Sequence, residues 1–155
     1  LTGHLVCSTL HTNSSVETIT RLVNMGIPNY LISSSVSLVI GQRLARKICQ
    51  KCKVEDKNSS AKLLKQMKLP SDLNPMVGKG CKECNNSGYK GRQGIYEILK
   101  ITEDLQDGIL KNLTIPEMES VAKKEGFLSM QEVGAGYIRE GLLSLEEYQR
   151  TLFIS

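Results

Sequence analysis

Two cysteine pairs with identical spacing constrain the fold of this chain more than any other feature: Cys49 with Cys52, and Cys81 with Cys84. A C-x2-C pair places two thiolates on one tight turn, where both reach the same ion. Two such pairs supply the four sulfur ligands of a tetrahedral zinc site. Four thiolates leave no open coordination position, so the pattern predicts structural Zn2+ and argues against a zinc hydrolase. The alternatives are two disulfides or four unrelated buried thiols.

The segment between the two pairs is longer than in usual zinc ribbons, because residues 53–80 contribute 28 positions. We therefore expect a zinc-binding insert, residues 49–84, with a hairpin or a helix of its own. Within it, the apolar spacing over Ser60–Met67 predicts a short amphipathic helix.

Composition is that of a folded domain, with or without a small subdomain: 155 residues, of which 40% are apolar and 23% charged. No apolar run approaches the roughly 18 residues of a transmembrane helix. The N-terminus lacks the basic region of a secretory signal. It also lacks an initiating methionine and opens directly into strand-like sequence, so we expect it to be the cut end of a longer protein.

Positive charge is concentrated around the cysteine pairs, where residues 41–92 hold 13 basic and 4 acidic residues. Residues 93–155 hold 6 basic and 11 acidic residues. A basic surface next to a zinc knuckle is typical of nucleic-acid binding, but Tyr89 is the sole aromatic residue there that could stack on a base. We expect solvated lysines and no nucleic-acid partner. A non-catalytic zinc-ribbon adaptor that binds nucleic acid or protein is the alternative function.

The first forty residues predict a strand followed by two helices. His4–Leu10 is short, apolar and β-branched, which predicts a buried strand that includes Cys7. A helix begins at Ser14 or Ser15 and ends at Gly26. A second helix is predicted over Asn29 to about Ile40.

The remaining chain predicts two strands and then helices only. Residues 41–48 form the strand that leads into the first cysteine pair, and Tyr89–Leu99 form a strand after the second pair. Helices begin at Thr102, with capping boxes or near-boxes at Thr114-x-x-Glu117, Ser129-x-x-Glu132 and Ser144-x-x-Glu147. The predicted class is α/β.

The chain has two histidines, His4 and His11, one at each end of the first predicted strand. An extended strand separates them by roughly 20 Å, so they are not expected to share a metal ion. His11 lies between a strand and a helix, where α/β sheets place ligand-contacting groups. On the residues alone, a hydrogen-bonded structural role remains the alternative for both.

Three motifs, in the same order, resemble those of the ATPases that drive type II secretion and type IV pilus assembly (GspE/PilB type). Residues 2–13 (TGHLVCSTLHTN) resemble the histidine box of that family. Residues 42–49 (QRLARKIC) resemble its QRL-x-R segment, which leads into the first zinc cysteine. Cys81-x-x-Cys84 followed by residues 88–97 (GYKGRQGIYE) resembles the segment after the second pair. The resemblance covers essentially the whole chain.

The resemblance implies the C-terminal portion of a RecA-like P-loop ATPase core, with a four-cysteine zinc subdomain and a helical C-terminal tail. Residues 1–48 and 85–101 would belong to the core, 49–84 to the zinc insert and 102–155 to the helical subdomain. The implied parent is a homohexamer at the cytoplasmic face of the inner membrane. Its implied partners are the inner-membrane platform and the cytoplasmic adaptor proteins of the machine.

Three residues match nucleotide-site residues of the family. His4 and His11 match the two histidines of the box, which implies a catalytic role. Arg92 matches an arginine that reaches the nucleotide phosphates, and the forked guanidinium suits phosphate oxygens. On the residues alone, a solvated charge is the simpler interpretation of Arg92.

The implied cofactors of the full-length parent are ATP and Mg2+. This sequence contains no G-x4-G-K-[ST] loop, and no match to the acidic Walker B residue or to the catalytic glutamate of the family. In the family these lie before the histidine box. We therefore expect no ATP hydrolysis by this chain alone.

Overall fold

The computed structural model describes residues 3–59, 61–67 and 69–153, and the described chain has mixed α/β structure, as predicted. In chain order the elements are α1 (Ser15–Asn24), α2 (Asn29–Ser35), β1 (Leu38–Ile48), β2 (Lys53–Glu55), α3 (Ala61–Gln66), β3 (Met76–Gly78), a 3-10 turn (Lys82–Cys84), β4 (Tyr89–Lys100), α4 (Glu103–Leu110), α5 (Ile115–Lys124), α6 (Met130–Arg139) and α7 (Leu145–Leu152). Within the described ranges, no helix is both long and apolar enough to span a membrane.

The chain divides into two compact units. The first unit is Leu1–Gly41 with Glu97–Ser129, and the second unit is Gln42–Tyr96 with Met130–Ser155. Helices α4 and α5 therefore belong to the first unit, whereas α6 and α7 belong to the second. The helices of residues 102–155 contribute to two apolar cores, and the predicted division into domains stays a prediction. Membership of a RecA-like core remains a prediction.

Helix α1 begins and ends where the sequence predicts. The Ser14 hydroxyl accepts a hydrogen bond from the Glu17 N–H at 3.1 Å, which caps the helix. Gly26, with φ of 83°, follows the last turn. Helix α2 stops at Ser35 instead of near Ile40, because the chain is already extended at Val36 and continues into β1.

The strand predicted for His4–Leu10 is absent from the structure. Residues 4–10 have neither helical nor strand geometry and are exposed, with Leu5 91% and Val6 78% accessible. The predicted burial of Cys7 is also wrong, since this thiol is exposed. A strand needs a hydrogen-bonded neighbour, and none of the described strands pairs with this segment. The apolar pattern gave the local preference but not the pairing partner.

The first unit has one apolar core, which α1, α2, α4 and α5 share with the end of β4. Its buried members are Val16, Ile19, Ile32, Leu99, Ile101, Leu105, Ile109, Met118, Ala122 and Phe127. The Thr114–Glu117 capping box at the start of α5 is confirmed, with the Thr114 N–H donating to the Glu117 carboxylate at 2.8 Å.

The segment between the cysteine pairs contains both a strand pair and a helix, as expected. Strands β2 and β3 are antiparallel, with Val54 opposite Val77. Helix α3 confirms the helix predicted over Ser60–Met67, although Ser60 itself lies outside the described residues. The longer strands β1 and β4 are hydrogen-bonded neighbours in a second sheet.

The second unit buries residues of this segment together with residues of the neighbouring elements. Its core consists of Ala45, Leu64, Met67, Leu69, Leu73, Ile95, Met130, Ile138, Leu143, Leu145 and Tyr148. Residues of the segment 49–84 therefore share a core with elements outside it. The segment has too few apolar side chains to form a core of its own. These side chains pack instead in the core formed by β1, β4, α6 and α7.

Candidate metal centre and candidate nucleotide-contacting residues

The structure brings together the four predicted metal ligands Cys49, Cys52, Cys81 and Cys84, whose sulfur atoms all lie within 4.8 Å of one another. The Sγ–Sγ distances are 3.8 Å for Cys49–Cys81, 3.9 Å for Cys52–Cys84 and 3.7 Å for Cys81–Cys84. A tetrahedral ion with metal–sulfur bonds of about 2.3 Å requires sulfur separations of about 3.8 Å. The arrangement therefore fits one tetrahedral metal ion.

The four cysteines are free thiols in the structure, so the disulfide alternative does not describe it. A disulfide would need sulfur atoms about 2.0 Å apart. The set also contains no His, Asp or Glu ligand. Soft thiolates in tetrahedral arrangement favour Zn2+ over hard, oxygen-seeking cations such as Mg2+.

Two glycines allow the chain to form the second knuckle. A Cβ atom on Gly78 would lie 2.0 Å from the backbone oxygen of Gly88, so these two segments touch through their backbones. The Gly88 oxygen also accepts a hydrogen bond from the Cys49 N–H at 2.9 Å. Gly88 thus connects the turn after Cys84 to the turn that carries Cys49.

The environment of the thiols opposes their simultaneous ionisation in the absence of a cation. Burial and hydrogen bonding to the neighbouring sulfurs raise the pKa of Cys52 to about 12. Burial also opposes ionisation of Cys84, but backbone hydrogen bonds from Cys81 and Gly88 outweigh it and lower the pKa to about 6. A bound metal ion must therefore displace protons, and its affinity falls as the pH is lowered.

A second cluster in the same unit surrounds the carboxylate of Glu147, whose side chain is completely buried. It accepts hydrogen bonds from the Arg46 N–H at 2.7 Å and the Arg46 Nε at 2.8 Å. It also accepts hydrogen bonds from Arg150, including one from Nε at 2.8 Å. Burial alone would raise the pKa of Glu147, but the hydrogen bonds from Arg150 and Arg46 outweigh it and lower the pKa to about 2.

The Arg46 guanidinium also lies over the ring of Tyr89, 4.2 Å from its centroid. The Tyr89 hydroxyl is hydrogen-bonded to that of Ser144 at 2.8 Å, and Ser144 caps α7. This arrangement joins β1, β4 and α7 next to the cysteine cluster. One indication of this cluster was already present in the sequence, since Arg46 interrupts the apolar alternation of its strand.

His4 and His11 lie on the surface of the first unit, in the exposed segment before α1. Residues 12–14 are attached to the first turn of α1. The hydroxyls of Thr12 and Thr18 are hydrogen-bonded at 2.8 Å, and the Asn13 N–H donates to the Glu17 carboxylate at 3.3 Å. His11 thus directly precedes two residues, Thr12 and Asn13, that are hydrogen-bonded to the first turn of α1.

Sequence analysis missed one buried carboxylate of the first unit, that of Glu97, which is 3% exposed. It accepts a hydrogen bond from the backbone N–H of Ser15, the first residue of α1. The available signal was a charged residue at an inward-facing position of β4, where alternate residues are buried.

Arg92 belongs to the second unit and lies exposed on β4. Gly91, with φ of 80°, provides the left-handed backbone before it. Gly94 is covered by the Tyr96 ring, because a Cβ atom there would lie 2.5 Å from the nearest ring carbon. Contact with the Tyr96 ring is thus sufficient reason for a glycine at position 94. The approach of a ligand to Arg92 stays a prediction.

Comparison with known proteins gives a match over nearly the whole chain. The family described as "Type II/IV secretion system protein" matches residues 1–150. The type IV pilus assembly ATPase PilB of Pseudomonas aeruginosa is 45% identical over 156 aligned residues, which cover 96% of this chain and 27% of that protein.

Two further relatives are named for secretion and for protein transport. The type II secretion system ATPase E of Vibrio cholerae is 40% identical, with 97% of this chain and 30% of that protein covered. The protein transport protein HofB homolog of Escherichia coli is 37% identical, with 97% of this chain and 32% of that protein covered. The chain therefore spans about a quarter to a third of the length of these relatives. With a family match over residues 1–150, this chain belongs to the type II/IV secretion system protein family.

Proposed function

We propose that this chain is the C-terminal part of a hexameric ATPase that powers type IV pilus assembly or type II protein secretion. The observation that carries the proposal is the alignment of 96–97% of the chain with relatives named for these two processes. In this proposal residues 1–48 and 85–101 belong to a RecA-like core, residues 49–84 to a zinc insert and residues 102–155 to a helical subdomain. ATP and Mg2+ are bound mainly by the remainder of the longer protein.

The proposed role of the metal is structural, with Zn2+ held by Cys49, Cys52, Cys81 and Cys84. The first pair directly follows β1, and the second pair precedes β4 by four residues. A closed zinc site would fix the end of one strand to the beginning of the other. Because Arg92 lies near the start of β4, the ion would also fix the strand that presents this guanidinium.

The proposed nucleotide contacts are His4, His11 and Arg92. The exposed Arg92 is available to phosphate oxygens, for which its fixed charge and forked donors are suited. The histidines would act near the reacting phosphate, with His11 held by the start of α1. The parent would act as a homohexamer on the cytoplasmic face of the membrane, in contact with the platform and adaptor proteins of its machine.

The test is ATP hydrolysis by the assembled longer protein carrying His4→Ala, His11→Ala or Arg92→Ala. The expected result is a fall in kcat of at least about tenfold for His11→Ala and Arg92→Ala, with unchanged zinc content. Lys100→Ala is the matched control, because Lys100 is another exposed cation on β4. Parental turnover by all three alanine variants would refute the assigned roles.

One observation favours the zinc-ribbon adaptor as a second candidate, namely the excess of 13 basic over 4 acidic residues in 41–92. Binding to a nucleic-acid backbone must weaken steeply with added salt. Titration of this chain with single-stranded and duplex DNA at two salt concentrations separates the candidates. We expect no saturable binding at physiological salt.

A further inference from the structure

Glu97 has no role in the zinc centre or among the proposed nucleotide contacts, yet it is a carboxylate buried in an apolar environment. Its neighbour on the same face of β4, Leu99, is 1% exposed and belongs to the core of the first unit. Burial of a carboxylate costs free energy unless hydrogen bonds compensate for the lost water. A residue needed only for packing at this position would be apolar.

One compensating hydrogen bond comes from the beginning of α1. The Glu97 Oε1 atom accepts a hydrogen bond from the backbone N–H of Ser15, which is itself fully buried. The first N–H groups of a helix have no partner within the helix, and a negative charge at this end is also favoured by the helix dipole. Glu97 thus holds one end of α1 from a strand 82 residues away in sequence.

The same helix end fixes the segment that carries His11. Thr12 is bonded to Thr18 through their hydroxyls at 2.8 Å, and Asn13 donates its N–H to Glu17 at 3.3 Å. These bonds attach residues 12 and 13 to the first turn of α1. Any shift of that turn relative to β4 therefore moves the backbone of His11 as well.

We propose that Glu97 is a positioning residue for His11, acting through Ser15 and the first turn of α1. The proposal deepens the proposed function and rests on it, since it gives His11 a place in nucleotide turnover. A carboxylate serves this purpose better than an apolar side chain, because it fixes the direction of one N–H group. Apolar packing alone would allow the helix end to slide.

Two variants break the bond from opposite sides. Glu97→Leu removes the hydrogen-bond acceptor and fills its place in the core with an apolar side chain. Ser15→Pro removes the donor at the first helical position, which proline favours, and Ser14 already has the extended backbone (φ −141°, ψ 162°) that precedes proline. Glu97→Gln retains an oxygen acceptor of the same size and is the conservative rescue.

The matched control is Glu117→Ala. Glu117 is also a carboxylate that accepts a backbone N–H at the start of a helix of the first unit, from Thr114 at 2.8 Å. Its loss weakens the start of α5 and leaves the bond between Glu97 and Ser15 intact. A general loss of stability would therefore appear in the control, whereas a specific effect on residues 11–14 would not.

The first measurement is hydrogen exchange of the backbone amides of residues 11–19, in this chain and in the longer ATPase. We expect exchange at least tenfold faster over residues 13–18 in Glu97→Leu and in Ser15→Pro. The rate should be nearly parental in Glu97→Gln and unchanged in Glu117→Ala. Parental exchange in both Glu97→Leu and Ser15→Pro overturns the proposal, whatever the ATPase assays give.

The second measurement is ATP hydrolysis by the longer protein with single and double variants. Glu97→Leu should lower kcat with little change in KM, and the double variant with His11→Ala should be no slower than His11→Ala alone. Multiplicative losses would overturn the proposal, because they would mean that Glu97 acts independently of His11. If His11→Ala hydrolyses ATP at the parental rate, the role proposed for His11 fails, and hydrogen exchange still decides whether Glu97 holds residues 11–14 in place.

Discussion

The backbone N–H and the guanidinium of Arg46 both donate to the buried carboxylate of Glu147, at 2.7 and 2.8 Å, across 101 residues of sequence. The Arg46 side chain is 42% exposed and the Glu147 side chain is completely buried. The pair connects the strand that ends at the first cysteine pair to the last helix of the described chain. The strength of this ion pair depends on ionisation of the Glu147 carboxylate.

Replacement of Glu147 by Gln should lower the free energy of unfolding by about 1–2 kcal/mol. This is less than the roughly 3–5 kcal/mol for breaking a fully buried ion pair, because both guanidinium partners are about half exposed. Urea unfolding followed by circular dichroism measures the change. Glu146→Gln, the exposed neighbouring position, is the control and should change stability by less than about 0.5 kcal/mol. Equal stability of the two variants would contradict the assigned role of the pair.

Acid should remove the contribution of Glu147 within a defined pH range. Its pKa is about 2 in the folded chain and 4.5 ordinarily, so the unfolded chain binds the proton more readily. The stabilisation is complete above pH 4.5 and disappears as the pH falls towards 2. The stability difference between the parent chain and Glu147→Gln should therefore shrink over this range. Since a metal ion would leave both proteins on acidification, only this difference is diagnostic, and a constant difference would count against the prediction.

One Zn2+ ion per chain should be bound by the four clustered cysteines. Cys81→Ser should reduce the bound zinc to well below one per chain, whereas Cys7→Ser should not, because Cys7 is exposed and outside the cluster. Metal analysis of the reduced, purified chain gives the stoichiometry. Chelation should also increase hydrogen exchange in α6 and α7, because they share one core with residues of the cysteine segment. Full zinc occupancy of Cys81→Ser would exclude this ligand set.

Gly78→Ala should destabilise the second knuckle. The added methyl group would lie 2.0 Å from the Gly88 oxygen, and a backbone atom cannot move aside as a flexible side chain can. We expect a loss of about 1–3 kcal/mol and weaker zinc binding. Gly136→Ala is the matched control, since Gly136 lies within α6 with open space around it and should gain up to about 1 kcal/mol. Competition with a chromophoric chelator measures the zinc affinity, and equal affinities would show that the close contact is not required.

Features that depend on nearby residues could be predicted from the sequence, and those that depend on distant partners could not. The cysteine pairs, the cap at Ser14 and the turn at Gly26 are defined within a few residues, and the structure has them as expected. The Glu147 carboxylate was expected to close a local capping box. It pairs with Arg46 instead, because a charged partner from another strand provides stronger hydrogen bonds in a buried place.

The segment before α1, residues 4–10, shows the same dependence on distant partners. Its apolar, β-branched residues predict a strand that the structure does not have, because strand formation requires a neighbour that local sequence does not specify. Glu97 and Ser15 likewise meet across 82 positions, and neither residue type indicates the other. Position-specific burial on β4 was the one sequence signal for Glu97, and it becomes informative only after the strand is known.

The exposed segment at residues 4–10 bears on how this chain behaves in concentrated solution. Leu5 and Val6 are largely accessible, and the segment belongs to no helix or strand although its side chains favour a strand. Such a segment is a template for intermolecular β-pairing, and thus for aggregation. Aggregation of the separated chain should therefore increase with its concentration, and a charged residue in place of Val6 should reduce it.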